Sequence, residues 1–303
     1  MPEQPTRDLL DSYQATFADV WLTKLSQQHS VFEGYVSTDQ FDGDRKKIEF
    51  VGDEEVNELK GRNQPTIPSK RAFWDRWMIH RQFESVDEIA ETDKVALGKL
   101  PTLESIYSTS QARGYKKNYD RLVVEAMTSQ VVHGKNGTKL LDFDTSTNVI
   151  AVNHGGTNAG LTLKKLSAAS TKMDKAFVNE ERYIAIGTQQ NADMILNIEE
   201  AKSSDYFNGE ILKDGSIKGK KFLGFTFLQY ELLNHNVSDD IRECPVWHKD
   251  ALVFATNPSL NPGVSIDRVF TRSNMIQIRT TYYQSCTRKR DSVYIIKCDE
   301  SPA

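Results

Sequence analysis

The chain has 303 residues, which is enough for one large domain or two medium ones with a buried core. Hydrophobic residues make up 38% and charged residues 26%, a composition typical of a folded protein rather than a disordered one. Lys and Arg total 38 against 42 Asp and Glu, a formal charge of −4. This balance argues against a dedicated nucleic-acid-binding protein, which would carry a basic excess.

The cysteines and the chain start indicate the compartment. Cys244, Cys286 and Cys298 include no CxxC pair, and an odd number cannot close completely as internal disulfides. We therefore expect reduced thiols in a reducing cytoplasm. The N-terminus lacks a basic start followed by an apolar run, so no signal peptide is expected. No stretch reaches the roughly 18 apolar residues of a membrane span, so we expect a soluble protein.

Residues 7–29 are predicted to form an amphipathic helix, because apolar side chains recur at helical spacing. These positions are Leu10, Tyr13, Phe17, Val20, Trp21 and Leu25. Such a stripe docks either on the body of the same chain or on a neighbouring subunit, and the same chain is the default expectation.

The next region has the pattern of a long β-hairpin. Two extended segments, Lys46–Val51 and Arg71–Phe83, flank a charged stretch with Gly and Pro, Gly52–Pro65. In the second segment, one alternating face carries Phe73, Trp77, Ile79 and Phe83. An isolated two-stranded ribbon is marginal in water. A long ribbon that carries Trp74 and Trp77 is therefore expected to lean on something else, which hints at an intersubunit arm.

Two helices are predicted further along the chain. Residues 102–132 are helical in pattern, with Gly114 as a point where the helix bends or divides. Residues 161–179 have the clearest helical pattern. Their shared face carries Leu163, Leu166, Ser170, Met173 and Phe177.

The remaining elements complete an α+β pattern. A short buried strand, Tyr183–Ile186, precedes a helix that starts near Thr188, a plausible N-cap. A further strand is predicted at Phe222–Leu228. Two closing strands, Met275–Tyr283 and Ser292–Cys298, are expected to form a hairpin through the charged turn Thr287–Asp291.

The best lead toward an enzyme is the loop Gly155–Gly160, which follows a strand and precedes the 161–179 helix. A Gly-rich turn at a helix N-terminus can cradle a phosphate through backbone N–H groups. However, the glycines do not spell GxGxxG, and no Gly-Lys-Ser/Thr follows. An exposed loop is therefore favoured over a phosphate site.

Other catalytic and metal patterns are weak. None of the six histidines pairs with another at three- or four-residue spacing, and Cys244 and His248 alone are too few for a metal site. No GxSxG elbow is present. We therefore expect no catalytic residue, no metal and no cofactor.

Several stretches in order resemble the major coat proteins of tailed phages, the group with the Hong Kong 97-like fold. Leu103–Met127 resembles the spine helix of that family, and Arg113, Lys117 and Asp120 fall where its pattern places them. Four further segments are similar to a Gly-rich turn, an axial-domain strand, a returning segment and the last strands. They are Gly134–Gly137, Leu223–Phe227, Trp247–Ala255 and Val293–Cys298. The resemblance spans roughly residues 31–300 and is greatest to the short-tailed (podovirus) branch.

The resemblance implies an α+β Hong Kong 97-like capsid fold with a set order of parts. The expected order is an N-terminal arm at 1–30, an extended β-hairpin loop at 31–95, a spine helix and peripheral domain at 96–180, an axial domain at 181–255, and a return to the peripheral domain with a C-terminal β-hairpin at 256–303.

The resemblance also implies function and partners. It implies a major capsid protein that self-assembles as hexamers and pentamers into the icosahedral head around the genome. Further implied partners are scaffolding, portal and decoration proteins, with packaged double-stranded DNA nearby but no sequence-specific contact and no membrane. The implied location is the virion, after assembly in the host cytoplasm.

Under this interpretation the hairpin carries the intersubunit contacts. Trp74 and Trp77 are expected to pack against an adjacent subunit, where the hairpin also contributes backbone pairing. Rim ion pairs, each contributing about 0–1 kcal/mol, are expected from Arg45, Lys47, Asp53 and Glu55.

Two alternatives stay open at this point. One is another virion structural protein, of a tail or connector, which would form rods or rings instead of shells. The other is an enzyme that binds a nucleotide on the Gly155–Gly160 loop.

Overall fold

The structure is a computed structural model, and it describes residues 17, 20–25, 28–40, 43–52, 73–90, 100–196, 216–257, 263–268 and 275–301. Three helices follow the helical residues 20–25: α1 (Leu100–Thr128), α2 (Leu163–Lys175) and α3 (Thr188–Leu196). The strands are β1 (Ser37–Gln40), β2 (Arg45–Val51), β3 (Phe73–Ile79), β4 (Gln82–Ala90), β5 (Val131–His133), β6 (Lys139–Leu141), β7 (Val149–Ile150), β8 (Arg182–Ile186), β9 (Lys221–Phe222), β10 (Phe225–Gln229), β11 (His235–Asn236), β12 (Ile241–His248), β13 (Leu252–Thr256), β14 (Gly263–Arg268), β15 (Met275–Arg288) and β16 (Val293–Asp299).

The largest sheet, here the β12 sheet, has the strand order β7-β16-β12-β8-β10-β9, with β11 also paired to β12. Its central strands pair in antiparallel register from Ile241 opposite Asp299 to Trp247 opposite Val293. Ile296 and Val293 are fully buried, as are Ile184 and Phe227 on other strands of the sheet. The last strand is therefore covered on both faces.

A second sheet, the β15 sheet, has the order β1-β13-β15-β14, with β4 also paired to β15. Its long strand β15 buries Ile278, Thr280 and Tyr282, which alternate along one face. Alternate side chains of this part of the strand therefore face the core.

The spine helix α1 connects the two sheets through the main core. Leu122, Val123 and Met127 of α1 belong to the same buried cluster as side chains of the β12 sheet. The helix has 29 residues and continues through Gly114. The expectation that Gly114 divides this helix in two is wrong.

The leading helical segment docks on its own chain. Phe17 and Trp21 are buried in a cluster with Tyr115, Ile278 and Tyr282. The indole of Trp21 and the ring of Tyr115 meet edge to face, with centroids 5.6 Å apart. Own-chain docking, the default expectation for this helix, is observed for the part of the helix that the structure describes.

The segment that follows is tied to α1 by one carboxylate. Asp120 accepts hydrogen bonds from the Ser30 hydroxyl (2.5 Å) and from the backbone N–H groups of Val31 and Phe32 (3.2 Å each). Desolvation raises the pKa of this carboxyl, and the three donors oppose that shift. Phe32 and Val36 then enter the main core. Residues at the start of the predicted 31–95 loop therefore pack in the body of the protein.

The predicted strand Phe222–Leu228 is wrong as a single element. Leu223 and Gly224 have positive φ values of 46° and 81°, so the chain turns between β9 and β10. The two short strands pair antiparallel to each other. The turn consists of an apolar residue and a glycine, so it was not recognised within a largely apolar stretch of sequence.

The predicted C-terminal β-hairpin is also wrong. β15 pairs with β4, β13 and β14, whereas β16 pairs with β7 and β12. The two closing strands therefore lie in different sheets. Alternation within a strand indicates its buried face, but it carries no information about which strand lies next to it.

The helix predicted at 161–179 is shorter in the structure, because α2 ends at Lys175. Leu166 and Met173 are buried as predicted. Phe177 has φ of 54° and lies past the helix end, where its ring is exposed. Its place in the predicted helical face is wrong. The strand at Tyr183–Ile186 and the helix start near Thr188 are confirmed.

A matched pair of leucines tests the core. Leu166→Ala removes a fully buried side chain of α2, and we expect it to lower the free energy of unfolding by about 2–5 kcal/mol. Leu140→Ala on β6 alters a side chain that is 62% exposed, and its effect should stay within about 0.5 kcal/mol. Urea unfolding of the unassembled protein measures both, and equal losses would contradict the core assignment.

Candidate assembly surface

β2 and β3 form the hairpin that sequence analysis predicted. Their antiparallel register runs from Arg45 opposite Ile79 to Val51 opposite Phe73. β3 also pairs with β5, and β5 pairs with β6, so the hairpin belongs to a four-stranded sheet. Asp53 and Glu55 lie outside the described residues, beyond the end of β2.

The root of the hairpin packs on the β15 sheet through a small apolar cluster. Ile48 and Met78 bury their side chains with Val253 and Ala255 of β13. The buried face of β3 is therefore the Met78 face. The alternating apolar face noted in the sequence, which contains Phe73, is the opposite face of the strand. Contact with β13 decides which face of β3 is buried.

A buried charge clamp fixes the same root. Arg76 Nη2 of β3 lies 3.2 Å from Asp291 Oδ2, and Arg288 Nε of β15 lies 3.5 Å from Asp291 Oδ1. Both guanidinium groups are buried. Arg288 also donates to the carbonyls of Met127 and Ser129, at the end of α1 (3.0 and 3.2 Å). The clamp thus joins the hairpin, β15 and the end of α1.

Trp77 also makes its main contact within the chain. Its indole N–H donates to the Gly134 carbonyl at 2.6 Å. Gly137, at φ of 62°, lies so close that an added Cβ would be 2.9 Å from the Trp77 ring. A glycine is required at this position for both reasons. The expected packing of Trp77 against an adjacent subunit stays a prediction.

An exposed apolar group lies at the opposite end of the hairpin. Phe50 and Trp74 stack with their rings nearly parallel (11°) and their centroids 6.5 Å apart. Phe73 is 78% exposed and Trp74 51% exposed, and Val51 beside them is exposed as well. We call Phe50, Val51, Phe73 and Trp74 the apolar tip. Clustered, exposed aromatic side chains are typical of a protein interface.

Sequence analysis chose only Trp74 from the apolar tip. Phe50, Val51 and Phe73 were missed as interface candidates. The available signal was their position, because these apolar residues stand where the polar stretch begins and ends.

The two charged interface candidates within the described residues, Arg45 and Lys47, differ in their contacts. Lys47 Nζ lies 2.6 Å from Glu49 Oε1 and 3.6 Å from Asp75 Oδ2. The hydrogen bond to Glu49 raises the pKa of Lys47. Its charge is therefore matched within the hairpin. Arg45 is exposed at the root.

The Gly155–Gly160 loop is built differently from a phosphate site. Thr162 caps α2 by accepting a hydrogen bond from Lys165 N–H at 3.4 Å. The buried Lys165 ammonium donates to the carbonyls of Ala159, Gly160 and Lys297. The Asp193 carboxylate lies against Gly160, where burial raises its pKa. The cation and the helix N-terminus already have partners, and a carboxylate lines the cleft.

A family model described as phage capsid protein matches residues 9–300. The chain belongs to the phage capsid protein family. No curated protein is similar to this capsid protein at a significant level. Within the described residues, no helix is both long and apolar enough to cross a membrane.

The fold is similar to solved phage capsids. The capsid of Ralstonia phage GP4 matches with a TM-score of 0.64 at 10% identity, over 89% of each chain. The cyanophage Pam1 capsid matches with a TM-score of 0.64 at 9% identity, over 91% of this chain and 93% of that one. Mycobacterium phage Che8 matches with a TM-score of 0.59 at 16% identity, over 88% and 91%.

These matches confirm the predicted Hong Kong 97-like fold, and the family confirms a major capsid protein that forms the head. The capsid protein is therefore a component of the virion. The assignment to the short-tailed branch and the exact domain limits stay predictions.

The charge clamp generates a prediction for the hairpin. Asp291→Asn removes the carboxylate that two buried guanidinium groups share, so we expect a loss of about 1–3 kcal/mol in unfolding free energy. Half of Asp291 is exposed, and solvent screening favours the lower end. Hydrogen exchange should accelerate at the amides of β2 and β3. Asp142→Asn, an exposed carboxylate that accepts from Gln130, is the control. Unchanged exchange in β3 would contradict the clamp.

Proposed function

We propose that the capsid protein assembles into the hexamers and pentamers of an icosahedral head by seating its apolar tip on an adjacent copy. The observation that carries this proposal is the exposure of Phe73 and Trp74 at the end of a hairpin whose root is firmly anchored. A second copy of the chain would remove these rings from water.

The geometry of such a contact suits ring formation. A hairpin that reaches a different surface on the next copy makes a heterologous, head-to-tail contact, which closes a ring when the rotation repeats. Burying one large apolar side chain contributes about 1.5–3 kcal/mol. Each contact is thus weak enough to correct errors, and many contacts in a closed shell add up.

Charged contacts and the remaining partners complete the proposal. Arg45 at the root of the hairpin and Lys47 along β2, together with Asp53 and Glu55, would make exposed ion pairs of small energy with neighbouring copies. Lys47 would have to exchange its partners Glu49 and Asp75 for groups on the neighbour. Scaffolding, portal and decoration proteins are further proposed partners, and the host cytoplasm is the proposed place of assembly.

We infer that the capsid protein acts as a building block and not as a catalyst. The family supports this. So does the Gly155–Gly160 loop, where the Lys165 ammonium is held by three carbonyl oxygens and Asp193 would repel a phosphate. The same family match favours the head over a tail or connector protein.

The tip proposal predicts a defect in assembly without a defect in folding. The double variant Phe73→Ser, Trp74→Ser replaces two exposed side chains, so the monomer should keep its far-UV circular dichroism and its melting temperature. Negative-stain microscopy, with a scaffold where one is required, should show no shells. Deletion of residues 50–68 should have the same effect.

The matched control is Leu232→Ser, which replaces a 65% exposed side chain away from the hairpin. Normal shells are expected from this control. Normal shells from the tip variant would refute the tip as an assembly contact.

The acidic balance generates a prediction about the genome. A formal charge of −4 suits an inner wall that encloses DNA without adhering to it. Filter binding at low salt should therefore show no tight association of the capsid protein with duplex DNA. Tight binding that weakens steeply with added salt would contradict this proposal.

A further inference from the structure

Three side chains with metal-binding chemistry meet at one end of the β12 sheet. His235 Nε2 lies 3.0 Å from Asp240 Oδ1 and 3.3 Å from Glu300 Oε2. One ligand atom from each of the three residues lies within 4.8 Å of the others. Histidine spacing in the sequence gives no sign of this group, and no metal was expected from it.

Backbone pairing holds the three residues in place. His235 of β11 pairs with Arg242 of β12. Asp240 immediately precedes β12 and Glu300 immediately follows β16, and the Glu300 N–H donates to the Asp240 carbonyl at 2.8 Å. Asp240 adopts φ of 53°, a conformation that Asp tolerates better than most residues. The group is therefore preorganised by three strand ends.

We propose that His235, Asp240 and Glu300 bind a first-row divalent cation, with Zn²⁺ as the preferred ion. Zn²⁺ binds His nitrogen and carboxylate oxygen at about 2.0–2.2 Å in a tetrahedron. Such bonds place neighbouring ligand atoms about 3.3 Å apart, close to the 3.0 and 3.3 Å seen here. One nitrogen and two oxygen ligands suit Zn²⁺ better than Mg²⁺ or Ca²⁺, which prefer oxygen alone.

The charges around the group favour a dication. Arg242 lies 2.5 Å (Nε) from Glu300 Oε1 and 3.1 Å (Nη2) from Glu231 Oε1, so its single charge serves two carboxylates. The Asp240 carboxylate contacts His235 Nε2. A dication held by His235 Nε2 and the two carboxylates would therefore balance negative charge that Arg242 leaves unmatched.

Arg242 and Gln190 act as positioning residues in this site. Gln190 Nε2 donates to Glu300 Oε1 at 2.8 Å, and Arg242 contacts both carboxylate oxygens. These donors hold the Glu300 carboxylate with Oε2 3.3 Å from His235 Nε2. Such outer partners orient a ligand and tune its affinity.

The site is open to solvent on one side, because the side chains of His235 and Asp240 are 27% and 40% exposed. An ion can enter, and water can supply the fourth ligand. Bound there, the ion would join the end of β16 to the turn before β12. A ligand that binds only the folded state stabilises it by mass action. Metal binding would therefore stabilise the packing of the C-terminal strand β16 reversibly.

Calorimetric titration of the metal-free full chain with ZnCl2 tests the site. The expected result is one ion per chain and a melting temperature that rises with ZnCl2 but not with MgCl2. Loss of an outer-shell partner commonly lowers metal affinity by about 10–100-fold. Loss of a ligand in His235→Ala or Asp240→Asn should therefore lower it by about 100-fold or more.

Two controls separate this site from general surface binding. His154→Ala removes another exposed imidazole, and Asp239→Asn removes the neighbouring carboxylate, which accepts from Asn236. Both should bind Zn²⁺ as the parent does, and circular dichroism should show every variant folded. Absence of binding to the parent, or equal binding by the His235→Ala variant, would overturn the proposal.

Discussion

The clamp that Asp291 makes with Arg76 and Arg288 is the interaction on which the position of the hairpin depends. A two-stranded ribbon alone does not keep a fixed direction in water. Here the ribbon is attached to β13 by apolar burial and to the end of α1 by buried guanidinium groups. Two attachments of different chemistry, one non-directional and one directional, therefore hold the root of the hairpin on the body.

The apolar side chains of the described residues fall into two sets. Side chains such as Leu166 and Phe227 are fully enclosed and supply the stability of the single chain. Trp21 belongs to this set, because it is buried on its own chain. The apolar tip contributes little to that stability, because Phe73 and Trp74 remain exposed to water. Under the assembly proposal, a neighbouring copy covers this second set.

Sequence patterns predicted the local elements but not their neighbours. The periodicity of α1, α2 and β15 reflects which face is buried, and these elements were found at or near the expected bounds. The closing hairpin failed because pairing between sheets is decided by contacts distant in sequence. The buried face of β3 is likewise decided by a distant element, since β13 lies far along the chain. Arg76 and Asp291 are 215 residues apart, so no local pattern could have revealed the clamp.

The polar chemistry of the body is directed at its own backbone and strand ends. The buried Lys165 ammonium donates to three carbonyl oxygens, and these hydrogen bonds hold the end of the Gly155–Gly160 loop against β16. At another strand end, the Arg242 guanidinium forms ion pairs with Glu300 and Glu231. Such contacts stabilise strand ends. The solved capsids named above share the fold over about nine-tenths of their length at only 9–16% identity. This is expected because a fold tolerates extensive substitution when core volume and apolar patterning are kept.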